Sequence, residues 1–243
     1  ELITNLFDRK REKRRLVRYE DIPKILVEAV ISIEDKRFFE HSGFDPLRIL
    51  RTAWVDVTQN RRYGASTISM QTARNLWLTQ DKTARRKAAE VLITLQIEQK
   101  LTKEQIFEFY SNQVDLGQHR SFAVHGFGEA AQVYFGEDIR ELRLEQAALL
   151  AGMIQRPNYF NPYRHPDRAM QRRNIVLKLM RENGYISDLQ YIEACKTPIK
   201  VVEGGAESTD APYFVDLVND ELQDNFSDID FQTSSYRIYT TLD

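Results

Sequence analysis

Apolar residues recur at helical spacing through most of the chain, and this pattern constrains the fold more than any other feature. One face of an amphipathic helix ending near Glu34 is formed by Ile22, Ile25, Leu26, Ala29, Val30 and Ile33. The same reasoning predicts a helix from Asp45-Pro46 onward and others over about 83–100, 102–110, 142–153, 167–182 and 188–195. Capping boxes are predicted at Thr102 with Gln105 and at Ser187 with Gln190. The sequence therefore predicts a mainly α protein.

Only the two ends of the chain look extended. Leu2 to Phe7 and Leu16 to Tyr19 flank a basic run at 9–15, which predicts two strands around a solvated turn. A membrane-surface patch is the alternative for this run. Residues 203–210 are typical of a linker, and residues 236–241 alternate like the start of a strand. We interpret the chain as a piece of a longer protein.

Charge and cysteine content exclude several classes of function. The 34 Lys and Arg residues nearly balance the 36 Asp and Glu residues, so no overall field attracts nucleic acid, and we predict no nucleic-acid partner. The single cysteine, Cys195, excludes an internal disulfide framework and a cysteine-based metal cage. The sequence also lacks an apolar run of the roughly 20 residues that a membrane-spanning helix needs.

The segment Glu34–Gly43 is the first candidate for chemistry. There an apolar helix face runs directly into the carboxylate pair Glu34 and Asp35, followed by two aromatic residues and His41. A carboxylate at the end of a buried face is partly desolvated, which strengthens it as a base. An ordinary charged helix end is the alternative interpretation.

The segment Gly64–Asn75 is the second candidate. If a helix starts near Ser66, its free first-turn amides and clustered hydroxyls would suit phosphate oxygens. Thr67, Gln71 and Arg74 then form a polar stripe that ends in a cation. A normal helix cap followed by a solvated face is the alternative.

The third candidate is the cluster of Arg86, Lys87 and Glu90, whose spacing lets the three side chains meet on one helix face. A surface salt bridge is the ordinary meaning of this spacing. The functional alternative is a pair of cations that grip a diphosphate while the carboxylate orients them. A glycosyl donor activated by diphosphate needs such cations and one base, but no strong acid, so the three candidates together favour glycosyl transfer.

Five segments, spread in order over about 130 residues, carry a specific resemblance. They are Glu34–Gly43, Gly64–Gln71, Arg86–Glu90, Ile106–Gly117 and Leu142–Pro162. In these segments the chain resembles the family 51 peptidoglycan glycosyltransferases, which occur in class A penicillin-binding proteins and in monofunctional transglycosylases. The resemblance implies a lysozyme-like helical fold with a large lobe, a smaller membrane-facing lobe and short β-strands at the termini.

The resemblance also implies roles for individual residues. Glu34 would be the catalytic base and Glu90 the second essential carboxylate, beside the donor diphosphate. The implied substrate-binding residues are Ser66, Thr67, Gln71, Arg74, Asn75, Arg86 and Lys87. The chain departs from the family pattern at Arg74, where relatives usually have Lys, and at Met70, where they usually have Gln; neither change removes a required group.

The activity implied is processive polymerisation of lipid II into β-1,4-linked glycan strands, with inversion and release of undecaprenyl diphosphate. Implied partners are lipid II, the growing strand, the bacterial membrane and the inhibitor moenomycin. The implied location is the extracytoplasmic face of the inner membrane. Mg²⁺ or Mn²⁺ beside the diphosphate is compatible with the family, although the sequence contains no dedicated metal cage.

The resemblance divides the chain into an N-terminal strand or linker at 1–20, a glycosyltransferase domain at 21–200 and a linker toward a transpeptidase domain at 201–243. An apolar stripe between the first two motifs, at Ile49, Leu50, Ala53, Trp54 and Val57, is expected to dip into lipid, with core packing as the alternative. Two other functions stay open: a hydrolase or lytic transglycosylase of the same fold, and an inactive wall-binding module.

Overall fold

A computed structural model of the protein describes residues 12–46, 66–77, 83–119 and 122–202. Within these ranges the fold is mainly helical, as predicted. The helices are α1 (Lys24–Glu34), α2 (Ile68–Trp77), α3 (Ala84–Lys100), α4 (Lys103–Gln113), α5 (Phe127–Phe135), α6 (Leu144–Met153), α7 (Pro166–Glu182) and α8 (Asp188–Lys196). Short 3-10 turns span Tyr19–Asp21 and Ile139–Glu141. The strands are β1 (Glu12–Arg14), β2 (Asp115–His119) and β3 (Phe122–His125).

Helix α6 lies at the centre of the core. Every residue from Gln146 to Met153 is buried, so this helix is enclosed on all sides. It packs between α1 and α7, while α2 packs against both α3 and α4. The two groups of helices thus meet where α1 ends, which is also where the first candidate site segment begins.

Helix boundaries agree with the sequence predictions where capping residues, proline or glycine mark the ends of a helix. Both predicted capping boxes are present, with Thr102 accepting from the amide of Gln105 and Ser187 accepting from the amide of Gln190. Pro166 occupies the first turn of α7, and Gly184 follows the end of that helix with a φ of 77°. The periodicity did not predict α5, a short helix buried along nearly its whole length.

The sheet corrects the prediction that only the chain ends are extended. Strand β1 falls on the basic run that was predicted to be a turn, and it pairs in parallel with β3. Strand β3 also pairs antiparallel with β2, in the middle of the chain. Residues 16–18 are not a strand. Ladder hydrogen bonds use only backbone groups, so a three-residue strand can form where the sequence shows no apolar alternation.

The segment after β1 is tied to the helical body by side chains of α4. The carboxamide of Asn112 accepts from the amide of Val17 and donates to its carbonyl oxygen, both at 2.9 Å. Glu108 accepts from the amide of Tyr19 at 2.7 Å. Gly128 permits this close passage, because a Cβ there would lie 2.5 Å from the carbonyl oxygen of Arg15. We call residues 15–19 the N-terminal strap.

Several predictions fall outside the described residues: the strand at Leu2 to Phe7, the helix from Asp45-Pro46 beyond Pro46, the apolar stripe at 49–57, the linker at 203–210 and the strand start at 236–241. The boundaries of the predicted domains likewise stay predictions. Within the described ranges, no helix combines the length and apolar character that crossing a bilayer requires.

Arg173 joins α7 to the end of α8, and this contact yields a stability prediction. Its side chain is 1% exposed and donates to the carbonyl oxygens of Thr197 at 2.6 Å and Cys195 at 3.1 Å. We expect Arg173→Met to lower the free energy of unfolding by about 2–4 kcal/mol, because it leaves two carbonyl groups without their charged donor. The midpoint of thermal unfolding should fall by about 5–15 °C.

The matched control is Lys178→Met on the same helix, where the lysine is exposed and pairs with Glu182. It should change the free energy of unfolding by less than about 0.5 kcal/mol. Equal midpoints for the two variants in thermal denaturation followed by circular dichroism would contradict the role given to Arg173.

Candidate active site

Glu34 is the last residue of α1, and the structure sets it beside α2. The carboxamide nitrogen of Gln71 donates to the carboxylate of Glu34 at 2.8 Å. This partner is a neutral amide, which orients the carboxylate without adding a charge. Two of the predicted site residues, 37 positions apart in the chain, are thus in direct contact.

Asp35, the next residue, fixes the start of α2. Its carboxylate is 1% exposed and accepts from the backbone amide of Ile68 at 3.0 Å. The Nε2 atom of His41 lies 3.0 Å from each of its carboxylate oxygens. An acidic side chain at a helix N-terminus is favourable, because it satisfies a free amide and complements the helix dipole.

The side chain of Thr67, the residue before α2, caps that helix. Its hydroxyl donates to the carbonyl oxygen of Gly43 at 2.6 Å and accepts from the amide of Met70 at 3.2 Å. The prediction of free first-turn amides is therefore wrong for Ile68 and Met70, since Asp35 and Thr67 already satisfy them. In contrast, Ser66 is partly exposed, and its hydroxyl makes no hydrogen bond within the described part of the chain.

Arg74 and Asn75 lie farther along α2, one turn beyond Gln71. Arg74 is half-buried and Asn75 is exposed. Helix α2 packs against α4, in which Tyr110 is fully buried. Burial raises the pKa of Tyr110 well above its usual value; the charge of Glu34 raises it further, and the charge of Arg74 acts in the opposite direction. Both charges are therefore close enough to act on the same phenol.

Glu90 is fully buried on α3 and is held by two cations. Arg86 donates to one of its carboxylate oxygens at 2.7 Å, and Lys87 donates to the other. The side chains of Arg86 and Lys87 are 17% and 46% exposed, so the cations lie between the carboxylate and solvent. The three side chains meet as their spacing predicted, but around a buried carboxylate rather than on an open surface.

The segment that follows Glu34 reaches the helix that carries Glu90. Gly43 has a φ of 91°, and a Cβ there would lie 2.9 Å from the methyl carbon of Thr94. Thr94 is one turn from Glu90 and donates its hydroxyl to the carbonyl oxygen of Glu90 at 2.6 Å. The first motif therefore packs against the helix that carries the third, and a glycine is needed at the contact.

The structure adds one residue that the sequence reasoning missed. Arg172 of α7 donates to the carbonyl oxygen of Gly152 at 3.3 Å, and a Cβ at Gly152 would lie 3.1 Å from its Cγ. Burial lowers the pKa of Arg172, and the negative charge of Glu34 acts in the opposite direction. A third helix thus brings a cation near Glu34. The adjacent pair Arg172-Arg173 in an otherwise amphipathic helix was the available signal.

The described residues contain no group of three His, Cys, Asp or Glu side chains that could hold a metal ion. The arrangement that the structure does contain is a carboxylate oriented by an amide, and a second carboxylate with two cations. The first can accept a proton, and the second can hold cations against an anionic leaving group.

The sequence of this chain is similar to those of known proteins. The family described as Transglycosylase matches residues 1–181. Penicillin-binding protein 1B of Vibrio cholerae is 38% identical over 96% of this chain and 30% of its own length. Penicillin-binding protein 1A of Escherichia coli is 40% identical over 95% of this chain and 27% of its own. The chain thus spans less than a third of these relatives.

A crystal structure of penicillin-binding protein 1A from Haemophilus influenzae shares the fold, with a TM-score of 0.54. The match covers 89% of this chain and 22% of that one, at 24% identity. The mainly helical architecture and this neighbour fit the lysozyme-like fold that the resemblance implied.

The different surroundings of Thr67 and Ser66 lead to a prediction. Thr67→Val removes a buried hydroxyl with two hydrogen bonds, so it should lower the free energy of unfolding by about 1–3 kcal/mol. Ser66→Ala removes a hydroxyl without such bonds and should change it by less than about 0.5 kcal/mol. Urea denaturation measures both, and a larger loss for Ser66→Ala would show that the capping assignment is wrong.

Proposed function

Because the chain belongs to the transglycosylase family, we propose that it is a peptidoglycan glycosyltransferase that polymerises lipid II into β-1,4-linked glycan strands. The observation that carries the proposal is a pair of carboxylates on separate helices, one oriented by an amide and the other holding two cations. Glu34 accepts from the carboxamide of Gln71, and Glu90 accepts from the cations Arg86 and Lys87. Glycosyl transfer from a diphosphate needs this division between a base and a cation cluster.

Glu34 is the base in the proposed mechanism. It takes the proton from the 4-hydroxyl of the N-acetylglucosamine of an incoming lipid II. The freed oxygen attacks the anomeric carbon of the growing strand, and the bond from that carbon to the diphosphate oxygen breaks with inversion. The electron pair leaves with undecaprenyl diphosphate. Gln71 keeps the carboxylate of Glu34 oriented toward the acceptor.

The cations stabilise the charge that develops on the leaving diphosphate. Arg86, Lys87 and Arg74 supply the donors, and a guanidinium can bind two phosphate oxygens at once. The role of Glu90 is to hold Arg86 and Lys87 in place, since a buried carboxylate with two cations stays a fixed anchor. Ser66 is a further donor to the diphosphate, because its hydroxyl makes no hydrogen bond to the described residues.

The arrangement disfavours a hydrolase or lytic transglycosylase. Those enzymes protonate a poor leaving group, so they need a carboxylic acid where this chain has a salt-bridged carboxylate and cations. An inactive wall-binding module would have no use for a buried carboxylate with two cations. Incubation with labelled lipid II separates the three functions, because only the glycosyltransferase converts monomer into polymer.

The proposed setting is the extracytoplasmic face of the bacterial inner membrane, where a polyprenyl-linked donor is anchored. Membrane contact through the stripe at 49–57, inhibition by moenomycin and use of Mg²⁺ or Mn²⁺ are parts of the proposal that rest on the family resemblance.

Substitution of each carboxylate by its amide tests the assignment of roles. Glu34→Gln keeps the shape but removes the base, so lipid II polymerisation should fall by about 100-fold or more. Moenomycin binding should persist in this variant. Glu90→Gln removes the counter-charge of two cations, so both polymerisation and moenomycin binding should weaken. Glu182→Gln, on the exposed end of α7, is the control and should behave as wild type.

Near-normal polymerisation by Glu34→Gln would remove Glu34 from the mechanism. If moenomycin binding weakened in Glu34→Gln and persisted in Glu90→Gln, the roles assigned to the two carboxylates would be wrong.

Loss of either proposed phosphate-binding arginine should weaken the binding of moenomycin, a phosphoglycolipid. Arg86→Ala and Arg74→Ala each remove a charge-assisted contact worth roughly 1.5–3 kcal/mol, so the dissociation constant should rise by about 10- to 150-fold. Arg18→Ala removes an exposed arginine of the N-terminal strap and should leave binding unchanged. Fluorescence anisotropy with labelled moenomycin measures all three, and unchanged binding in both test variants would place the phosphate elsewhere.

A further inference from the structure

Two guanidinium groups lie over one exposed aromatic ring outside the proposed active site. The Cζ atom of Arg156 is 4.0 Å from the ring centroid of Tyr159, and that of Arg168 is 4.4 Å from the same centroid. Tyr159 is 37% exposed, in the turn that follows α6, and both arginines are exposed. We call Arg156, Tyr159 and Arg168 the arginine–tyrosine cluster.

The positive charge of this cluster is not balanced within the described residues. Neither Arg156 nor Arg168 has a described carboxylate within ion-pair distance, in contrast to Arg140 and Arg143, which pair with neighbouring acids. The distances to the shared centroid add up to 8.4 Å, so the two guanidinium carbons lie no farther apart than that. At about one Debye length in physiological salt they still repel each other. A bound anion would relieve that repulsion.

The N–H donors of both guanidinium groups make no hydrogen bond to the described residues, so they are available to a ligand. A guanidinium stacks through its flat face, while its N–H donors point outward in the plane of the group. Those donors match the two oxygens of a carboxylate. The ring therefore holds two carboxylate-binding forks close together at little cost in side-chain freedom.

The cluster continues toward the catalytic base. Arg172 lies one turn beyond Arg168 on α7, and its Cζ atom is 5.5 Å from the ring centroid of Phe160, the residue after Tyr159. The charge of Arg172 interacts with that of Glu34, as its pKa indicates. A series of cations and rings thus extends from the surface at Arg156 to Arg172.

We propose that the arginine–tyrosine cluster binds the carboxylates of the elongated glycan strand. The inference rests on the proposed function and names the ligand of a surface next to the same site. A peptidoglycan strand carries peptide carboxylates at regular intervals, so it presents paired anions to successive cations. An anionic lipid surface would also attract arginines, but the continuity with Arg172 and Glu34 favours the polymer over the bilayer.

The test uses uncrosslinked glycan strands with intact peptides as the probe, and the Arg156→Gln, Arg168→Gln double variant. We expect its dissociation constant for the strands to rise about tenfold or more, because two charge-assisted contacts are lost. The polymer it makes from lipid II should also be shorter, because the strand dissociates sooner. Arg140→Gln removes one exposed arginine that is already paired with Asp138 and should match wild type in both measurements.

Two further arms identify the ligand chemistry. Strands whose peptide carboxylates have been amidated should bind wild type and double variant equally weakly. Raising the ionic strength from about 0.01 M to about 0.1 M shortens the Debye length from about 30 Å to about 10 Å, and should weaken strand binding more for wild type than for the double variant.

Equal strand affinity in wild type and double variant would overturn the proposal. So would loss of binding to phosphatidylglycerol vesicles with unchanged strand binding, which would assign the cluster to the membrane. Failure of the proposed function can be distinguished from this. If the wild-type chain binds strands through these arginines but forms no polymer from lipid II, the strand-binding surface stands and the glycosyltransferase assignment is wrong.

Discussion

The hydrogen bond from the amide of Ile68 to the carboxylate of Asp35 is the interaction on which the site depends. It joins the end of α1 to the start of α2 across 33 positions of the chain. A buried carboxylate is costly unless it is fully hydrogen-bonded, and Asp35 obtains its partners from the helix terminus and from His41. Because Glu34 precedes Asp35 and Gln71 lies one turn after Ile68, the same link aligns Glu34, the proposed base, with the amide of Gln71.

The two carboxylates of the site lie in different surroundings. Glu90 is fully buried, yet its charge is matched by Arg86 and Lys87, which themselves reach toward solvent. Glu34 accepts from the amide of Gln71 and interacts at longer range with the cation Arg172. Separate helices carry the two carboxylates, and the contact between Gly43 and Thr94 fixes one helix against the other. Packing therefore maintains the electrostatic difference that the proposed chemistry uses.

Local sequence signals predicted most of the helices, whereas the contacts between distant segments could not be predicted from them. The helices α1, α3, α7 and α8 follow from periodicity and capping residues, because those forces act within a few residues. The link between Asp35 and Ile68 joins distant segments, so no window of sequence reveals it. Strand β1 escaped prediction because pairing with β3 needs no apolar alternation. The cluster at Glu90 was predicted by its spacing, but its burial depends on how α2 and α4 pack on α3.

The N-terminal strap sets an order of events during synthesis. Val17 binds the side chain of Asn112, which the ribosome adds 95 residues later. At about 5–20 residues per second, the strap waits roughly 5–20 seconds for its partner to be made. Over that interval the strap has no native docking site, and the basic residues that later form β1 remain exposed. The first part of the described chain to be translated therefore reaches its final position only after α4 has been made.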